Sequence, residues 1–272
     1  MDAKKGTRIN KYLSEIGYCS RREADRMIEQ KRVRVNGKIP VSATPVKSGD
    51  KIVVDGQQLD VVDNEVIYLA FNKPVGIVCT TDETEKDNII SYVNYPRRIF
   101  PIGRLDKPSE GLIFLTSDGD IVNKILRAGN KHEKEYLVTV NKPVTPDFID
   151  KMSNGVPIMG QRTKKCHVEA VGVNSFRIIL VQGLNRQIRR MCEYLGYEVK
   201  KLKRTRIMNI KLDVPSGQWR DLTEAELKEL KESVKGSTKT AKKKNTPKRK
   251  VPFDKKANPR KKASRSGQRK RR

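Results

Sequence analysis

From Lys235 to Arg272 the chain is mostly Lys, Arg, Ser, Thr, Pro and Gly, and Asp254 is its only acid. Such a segment cannot bury enough apolar surface to offset the entropy of ordering it. Residues 233–272 are therefore expected to form a disordered basic tail, and the fold must be built from what precedes them. The whole chain carries 59 Lys and Arg against 32 Asp and Glu, a net charge of +27, and remains positive without the tail. A surplus of this size points to a polyanionic partner. Nucleic acid fits better than a membrane surface, because there is no amphipathic anchor and no 18-residue apolar run. Residues 1–6 have no apolar signal region and are expected to be flexible, so a cytoplasmic protein is expected. Cys19, Cys79, Cys166 and Cys192 are scattered, and His132 and His167 are the only histidines. No zinc site and no disulfide are expected from that set.

At 272 residues, two domains are expected ahead of the tail, in an α+β chain. In the first, Ile9, Leu13 and Ile16 share one face of a short helix that ends at Gly17. Ser20 and Glu23 have capping-box spacing. The helix behind them buries Ala24, Met27 and Ile28 and presents Arg21, Arg22 and Arg26. Val33 and Val35 alternate with Arg32 and Arg34 into Asn36-Gly37, a hairpin signal. A further strand follows at Ile52–Val54.

The second domain is expected over residues 63–232. Val66–Phe71 has strand length and breaks at the corner Asn72-Lys73-Pro74-Val75-Gly76, after which Ile77–Thr80 resumes a strand pattern. The segment Pro101-Ile102-Gly103-Arg104-Leu105-Asp106-Lys107-Pro108 reads as a loop leading into the apolar strand Leu112–Leu115. Its acid, Asp106, lies between Arg104 and Lys107, and nearby cations favour the ionised carboxylate. Such a group can be a nucleophile or a base, although a loop acid in surface ion pairs is the commoner case. Asp120 starts a short helix running to Gly129-Asn130. Tyr136, Val138 and Val140 alternate along a strand, where a tyrosine is most often a core residue. Pro143-Val144-Thr145-Pro146 begins a helix-like segment ending near Gly155. The strand Phe176–Val181 feeds a basic stretch over residues 182–192. Lys200, Lys201, Lys203, Arg204 and Arg206 suit phosphates, Trp219 suits the core, and Leu222–Leu227 starts a last helix with acids in its first turn.

Several of these words together resemble a known family. Gly103-Arg104-Leu105-Asp106 with Gly111-Leu112, then Lys134-Glu135-Tyr136 and Gln187-Ile188-Arg189, are similar to the three motifs of the RsuA-like ribosomal RNA pseudouridine synthases. Asn10–Leu13, Ser20–Ala24 and Val33–Gly37 resemble the RNA-binding domain first seen in ribosomal protein S-four, here over residues 7–62. The resemblance implies a mixed, mainly antiparallel sheet for the second domain and a helix opening at Gln187-Ile188-Arg189. It implies an RNA anchor through Lys11, Arg21, Arg22, Arg26 and Arg34. It also implies catalysis by Asp106, Tyr136 and Arg189, with Arg189 paired to Asp106, and substrate contacts from Arg104, Ile188, Arg186 and Arg190. Arg104 fills the gap left by a flipped-out uridine, Ile188 lines the uracil pocket, and Tyr136 packs on the base. Three roles are open to Asp106: attack on the ribose, its deprotonation, or addition to the uracil ring. The implied isomerisation needs no metal and no organic cofactor. Ser109 stands where many relatives carry Thr, and Pro108 has no counterpart role.

Words around Leu126–Asn130, His132–Tyr136 and Arg186–Tyr194 look most like a branch that acts on large-subunit ribosomal RNA. Transfer RNA and small-subunit RNA are the alternative substrates, and a monomer is expected. The rival readings are a non-catalytic ribosome-associated binder and a polyanion binder driven by charge alone. The last would lose its affinity in salt without structural preference.

Overall fold

A computed structural model describes residues 6–59, 65–82, 84–126 and 130–237. The boundary expected at 62/63, the word Arg127-Ala128-Gly129, and the basic tail beyond Ser237 lie outside those residues.

The N-terminal part follows its local signals closely. A short strand β1 (Thr7–Arg8) runs into α1 (Ile9–Glu15), and Gly17 leaves that helix at φ 82°. α2 (Arg21–Glu29) starts where Ser20 Oγ accepts the Glu23 N–H at 3.1 Å. The Glu23 side chain pairs with Arg26 rather than returning to the cap, so half of the expected box forms. Ala24, Met27 and Ile28 are buried against Ile9 and Leu13. β2 (Val33–Val35) ends in Asn36 and Gly37, both at positive φ, but only the bridge Val35–Lys38 closes across that turn. Pro40 follows and has no N–H to continue a ladder. β3 (Pro45–Val46) pairs with β1, β4 (Ile52–Val54) with β2, and β5 (Gln57–Gln58) with β4, all antiparallel. The expected hairpin is thus a turn, and the partner of β2 comes later in the chain.

The body opens with β6 (Tyr68–Lys73), α3 (Ile89–Val93), β7 (Phe100–Pro101), β8 (Glu110–Thr116) and α4 (Gly119–Leu126). It continues with β9 (Lys134–Val140), α5 (Pro146–Ser153), the small pair β10 (Pro157–Ile158) and β11 (Gln161–Arg162), β12 (His167–Gly172) and β13 (Ser175–Leu180). Last come α6 (Gln187–Tyr194), β14 (Val199–Ile207), β15 (Ile210–Lys211), β16 (Trp219–Asp221) and α7 (Glu224–Ser233). Among the described residues nine strands form one sheet, in the order β12-β13-β9-β14-β8-β6-β16, with β15 on β14 and β7 on β8. Every pairing is antiparallel except β14 with β8. The α+β class and the mixed, mainly antiparallel sheet are as expected.

β6 and β8 are buried on both faces, which is why they read as unbroken apolar runs rather than alternating ones. Leu69, Phe71, Ile113 and Leu115 enter a core shared with β9, β13, α5 and α6. Tyr68, Ala70, Leu112 and Phe114 enter a second core under α4 and α7. The N-terminal part touches the body through Lys11, whose Nζ lies 2.9 Å from Asp120, and through Arg98, whose Nη1 donates to Ser14 Oγ at 3.0 Å.

Four expectations need correction. β6 runs through Asn72 and Lys73, both buried, because Asn72 Nδ2 donates to Val214 O at 2.8 Å. Ile77–Thr80 forms only the bridge Val78–Asn88, and Asn88 caps a helix, α3, that no periodicity marked. Trp219 is 39% exposed, because it sits on the edge strand and packs edge-on against Tyr95 alone among the rings described. The ordered chain also passes residue 232: Val234 is buried, and His132 Nε2 lies 2.9 Å from Ser237 Oγ.

α7 starts on a full capping box from Thr223 and Glu226. Arg220 then bridges Asp213 at 2.6 Å and Glu226 at 2.7 Å. Its fork holds the Glu226 carboxyl down to about 2. A carboxyl depressed in the folded state stabilises above its unfolded pKa of ~4.3, and that contribution is lost as pH falls through the folded value. Arg220→Met is therefore expected to move the acid-unfolding midpoint to higher pH by several tenths of a unit, measured by circular dichroism. An unmoved midpoint would mean that solvent screening leaves the pair without weight.

Candidate active site

Asp106 lies on the loop between β7 and β8, and the loop is held from several sides. The Leu105 N–H donates to Cys79 Sγ at 3.3 Å, and the Gly76 N–H donates to Lys107 O at 2.9 Å. The Ser109 N–H closes a turn onto Asp106 O at 2.9 Å. Lys107 turns outward to Asp87 at 2.9 Å. The corner Asn72-Lys73-Pro74-Val75-Gly76 is thus a brace for this loop. Lys73 beneath it is fully buried, and burial lowers its pKa against the pull of Cys79 and Asp106.

α6 supplies the next brace. Arg189 Nη2 donates to Pro108 O at 3.1 Å and to Ser109 Oγ at 3.3 Å, and Nη1 donates to Val199 O at 3.1 Å. Among the described residues no ion pair or hydrogen bond joins Arg189 to the Asp106 carboxylate, contrary to the expected pairing. Burial lowers the pKa of the guanidinium, and the charge of Asp106 works against that. Arg189 therefore acts on the loop backbone, and Pro108, which had no role by sequence, supplies an acceptor.

Loop, α6 and sheet enclose a cleft of about 440 Å³. Arg104 and Asp106 line one side, Arg186, Ile188 and Arg189 another, and Tyr136 the sheet. Tyr136 and Ile188 are 9% and 5% exposed, so they present apolar surface only inward. Asp106 is the only acid among the described lining residues, beside the cations Arg104, Lys134, Arg186, Arg189 and Arg204. A flat apolar slot with one carboxylate and a cationic rim can hold a planar base and attack or deprotonate the sugar attached to it. It lacks the carboxylate pair of a glycoside hydrolase.

Arg190 does not line the cleft. Its Nε donates to Asn185 O at 3.1 Å and its Nη2 to Asn185 Oδ1 at 3.2 Å, bracing the turn before α6. Arg204 is 4% exposed rather than free for phosphate, and Arg206 pairs with Glu133 at 3.0 Å. Lys134, Ser109 and Gln182 also line the cleft, and none of them had a role there by sequence. The missed signal was the two-residue period: Lys134 shares the face of Tyr136, and Arg204 that of Leu202. In the N-terminal set, Arg21 and Arg22 are exposed, and among the described residues their side chains make no hydrogen bond or ion pair. Arg26 pairs with Glu23, Arg34 Nη1 donates to Gly37 O at 3.1 Å, and Lys11 lies between Glu15 and Asp120.

Both parts of the chain are similar to known proteins. The RNA pseudouridylate synthase family profile matches residues 67–194, and the S4 domain profile matches residues 7–52. The chain is 60% identical, over 85% of its own length and 80% of the relative's, to the dual-specificity RNA pseudouridine synthase RluF of Escherichia coli. It is 31% identical, over 82% and 95%, to the ribosomal large subunit pseudouridine synthase B of Bacillus subtilis. A crystal structure of a pseudouridylate synthase, 29% identical, superposes with a TM-score of 0.60 over 83% of this chain and all of that one. A synthase sheet carrying a one-carboxylate cleft, an S4 domain before it, and relatives matched along most of their length lead to one assignment: the chain belongs to the RNA pseudouridine synthase family.

Proposed function

We propose that the cleft isomerises a specific uridine of large-subunit (23S) ribosomal RNA to pseudouridine. Asp106 is the nucleophile or base that releases the uracil ring, Tyr136 and Ile188 flank the flipped base, and Arg104 enters the gap it leaves. Flipping costs a few kcal/mol, and the stack against Tyr136 recovers ~1–3 kcal/mol of it. Arg186 meets the backbone at the rim. The observation that carries the reading is that Asp106 is the only acid among the described residues lining the cleft. The chain is proposed to work as a monomer in the cytoplasm, with residues 7–62 as anchor, 63–232 as catalyst and the tail as a source of on-rate. Among the described residues no helix is long and apolar enough to cross a membrane. The relatives named dual-specificity support a second substrate, for which transfer RNA is proposed.

The test is release of tritium from carbon five of uridine in large-subunit, small-subunit and transfer RNA fragments. Release from one large-subunit fragment is expected. Release from small-subunit RNA alone would overturn the substrate, and tight binding with no release from any RNA would overturn the activity.

Arg21 and Arg22 give the anchor its own check. Phosphate contacts position a protein and release counterions, each worth ~0.9 in the slope of log affinity against log salt. Arg21→Ala with Arg22→Ala is expected to flatten that slope by roughly 2 and to leave the modified uridine unchanged. A changed uridine would mean that the N-terminal part selects the target.

A further inference from the structure

Two buried cations in the cleft have no part in the reading above. Lys134 is 8% exposed and Arg204 4% exposed, and both line the cleft. Lys134 Nζ carries three donors and uses one, on His132 O at 3.2 Å. Arg204 Nε donates to Leu112 O at 2.6 Å, whereas its Nη2 is buried with no partner. Arg204 stands opposite Tyr136 in the β9–β14 register, and Lys134 lies two residues before Tyr136 on the same face. Neither has a carboxylate partner among the described residues. Burial pushes Lys134 down to about 8, and the charge of Arg204 adds to that. Like charges and an unpaired donor, shut from water, oppose folding, and such violations collect at functional sites.

The reaction creates the charge this pair lacks. Isomerisation breaks the C1′–N1 bond of uridine, and its electron pair passes into the ring, over N1, O2 and O4. The ring is anionic until carbon five is joined to the ribose. We propose that Lys134 Nζ and Arg204 Nη2 hold the carbonyl oxygens of the detached uracil, and that Lys134 is a catalytic residue that stabilises its negative charge. Both groups keep their protons. As C1′–N1 breaks, C1′ gains a bond to the Asp106 carboxylate or, where Asp106 is the base, a double bond to C2′ as the C2′ proton passes to Asp106. Fixed donors in a dry site act most strongly where charge develops. A backbone phosphate is the poorer occupant, because both groups lie beside Tyr136 and beneath the exposed Arg104 and Arg186 that suit it. The inference rests on uridine being isomerised in this cleft.

The test compares Lys134→Met, Lys134→Arg and Asp106→Asn with the native protein on one RNA fragment. Lys134→Met is expected to lower kcat about 100-fold and to change RNA affinity by less than about threefold. Lys134→Arg, which keeps a cation, is expected to recover part of that loss. A fluorine at carbon five makes the departing ring a weaker base, so the Lys134→Met deficit in C1′–N1 cleavage is expected to shrink on 5-fluorouridine RNA. That cleavage is followed as loss of the N-linked nucleoside in digests. The native rate should fall as pH rises past about 8, and this limb should vanish in Lys134→Arg. The groups facing Lys134 are Arg204 on β14, His132 and Tyr136 on its own segment, and Asp106 and Arg189 across the cleft. Lys134→Met, relieved of a buried charge, should melt no lower than native, which separates the effect from misfolding.

Equal deficits on uridine and 5-fluorouridine would overturn the proposal. So would a weakened, salt-dependent affinity with kcat intact, which would give the pair to a phosphate. Full turnover by Lys134→Met beside an inactive Asp106→Asn would overturn this inference alone. Full turnover by Asp106→Asn would overturn the reading of the cleft itself.

Discussion

Asp106→Asn is expected to cut tritium release at least about 1,000-fold, with RNA affinity held within about threefold. The amide keeps the shape of the side chain and removes both its charge and its ability to attack or to take a proton. The ties on the loop make the experiment clean. They run through Leu105 N, Lys107 O, Pro108 O and Ser109 Oγ, and none uses the Asp106 carboxylate. Loop and melting temperature should therefore stay as they are, so a loss of turnover reports chemistry. Binding should survive because phosphate contacts come from cations elsewhere. Release within tenfold of native would show that another group receives the ribose.

Gly111→Ala is expected to be among the most damaging single methyls at the described glycines. Gly111 stands where β8 runs parallel to β14, and its φ is 107°. A Cβ there would lie 2.3 Å from Arg204 O and 2.6 Å from Arg204 N. Those atoms are sheet backbone, which cannot swing away as a side-chain tip can. The clash adds to the strain of a positive φ, and a loss of roughly 3 kcal/mol or more is expected. In a domain of this size that is about 6–12 °C in melting temperature, or no soluble protein. Gly37→Ala is the control: φ is 78° there, but a Cβ meets nothing within 4 Å, so only the left-handed strain of about 1 kcal/mol applies. Equal losses at the two sites would mean that strain alone, not the approach of β14, requires glycine at 111. Gly111→Ala also presses on Arg204, so any protein that survives should lose turnover.

Much of this was legible because it is local. Ile9 and Leu13, and the buried row Ala24, Met27 and Ile28, follow helical spacing that needs no partner to be recognised. Ser20 was legible as a cap because its bond to Glu23 spans only three residues. The stretches over residues 68–71 and 112–115 were visible because burial on both faces leaves no polar interruption there, whereas the polar Asn72 and Lys73 hid the end of the first strand. The hairpin at Asn36-Gly37 misled because a turn dictates a reversal but not a ladder. Trp219 misled because hydrophobicity does not say whether a strand lies at a sheet's edge.

The site divides along the same line. The sequence by itself determined that a loop presents Asp106, that a strand carries Tyr136, and that a basic stretch around Ile188 and Arg189 follows a strand. Each belongs to a continuous word whose turn and period are set by its neighbours. Only the tertiary structure decided how the cations are used. Arg189 braces Pro108 and Ser109, Arg190 ties Asn185, Lys11 joins α1 to α4, and Lys134 and Arg204 turn into the cleft. Those outcomes depend on the register of β14 against β9 and β8, elements far apart in the chain. An arginine or lysine looks alike in every local window, and whether it meets water, a carbonyl or a buried slot is fixed only when distant strands pair.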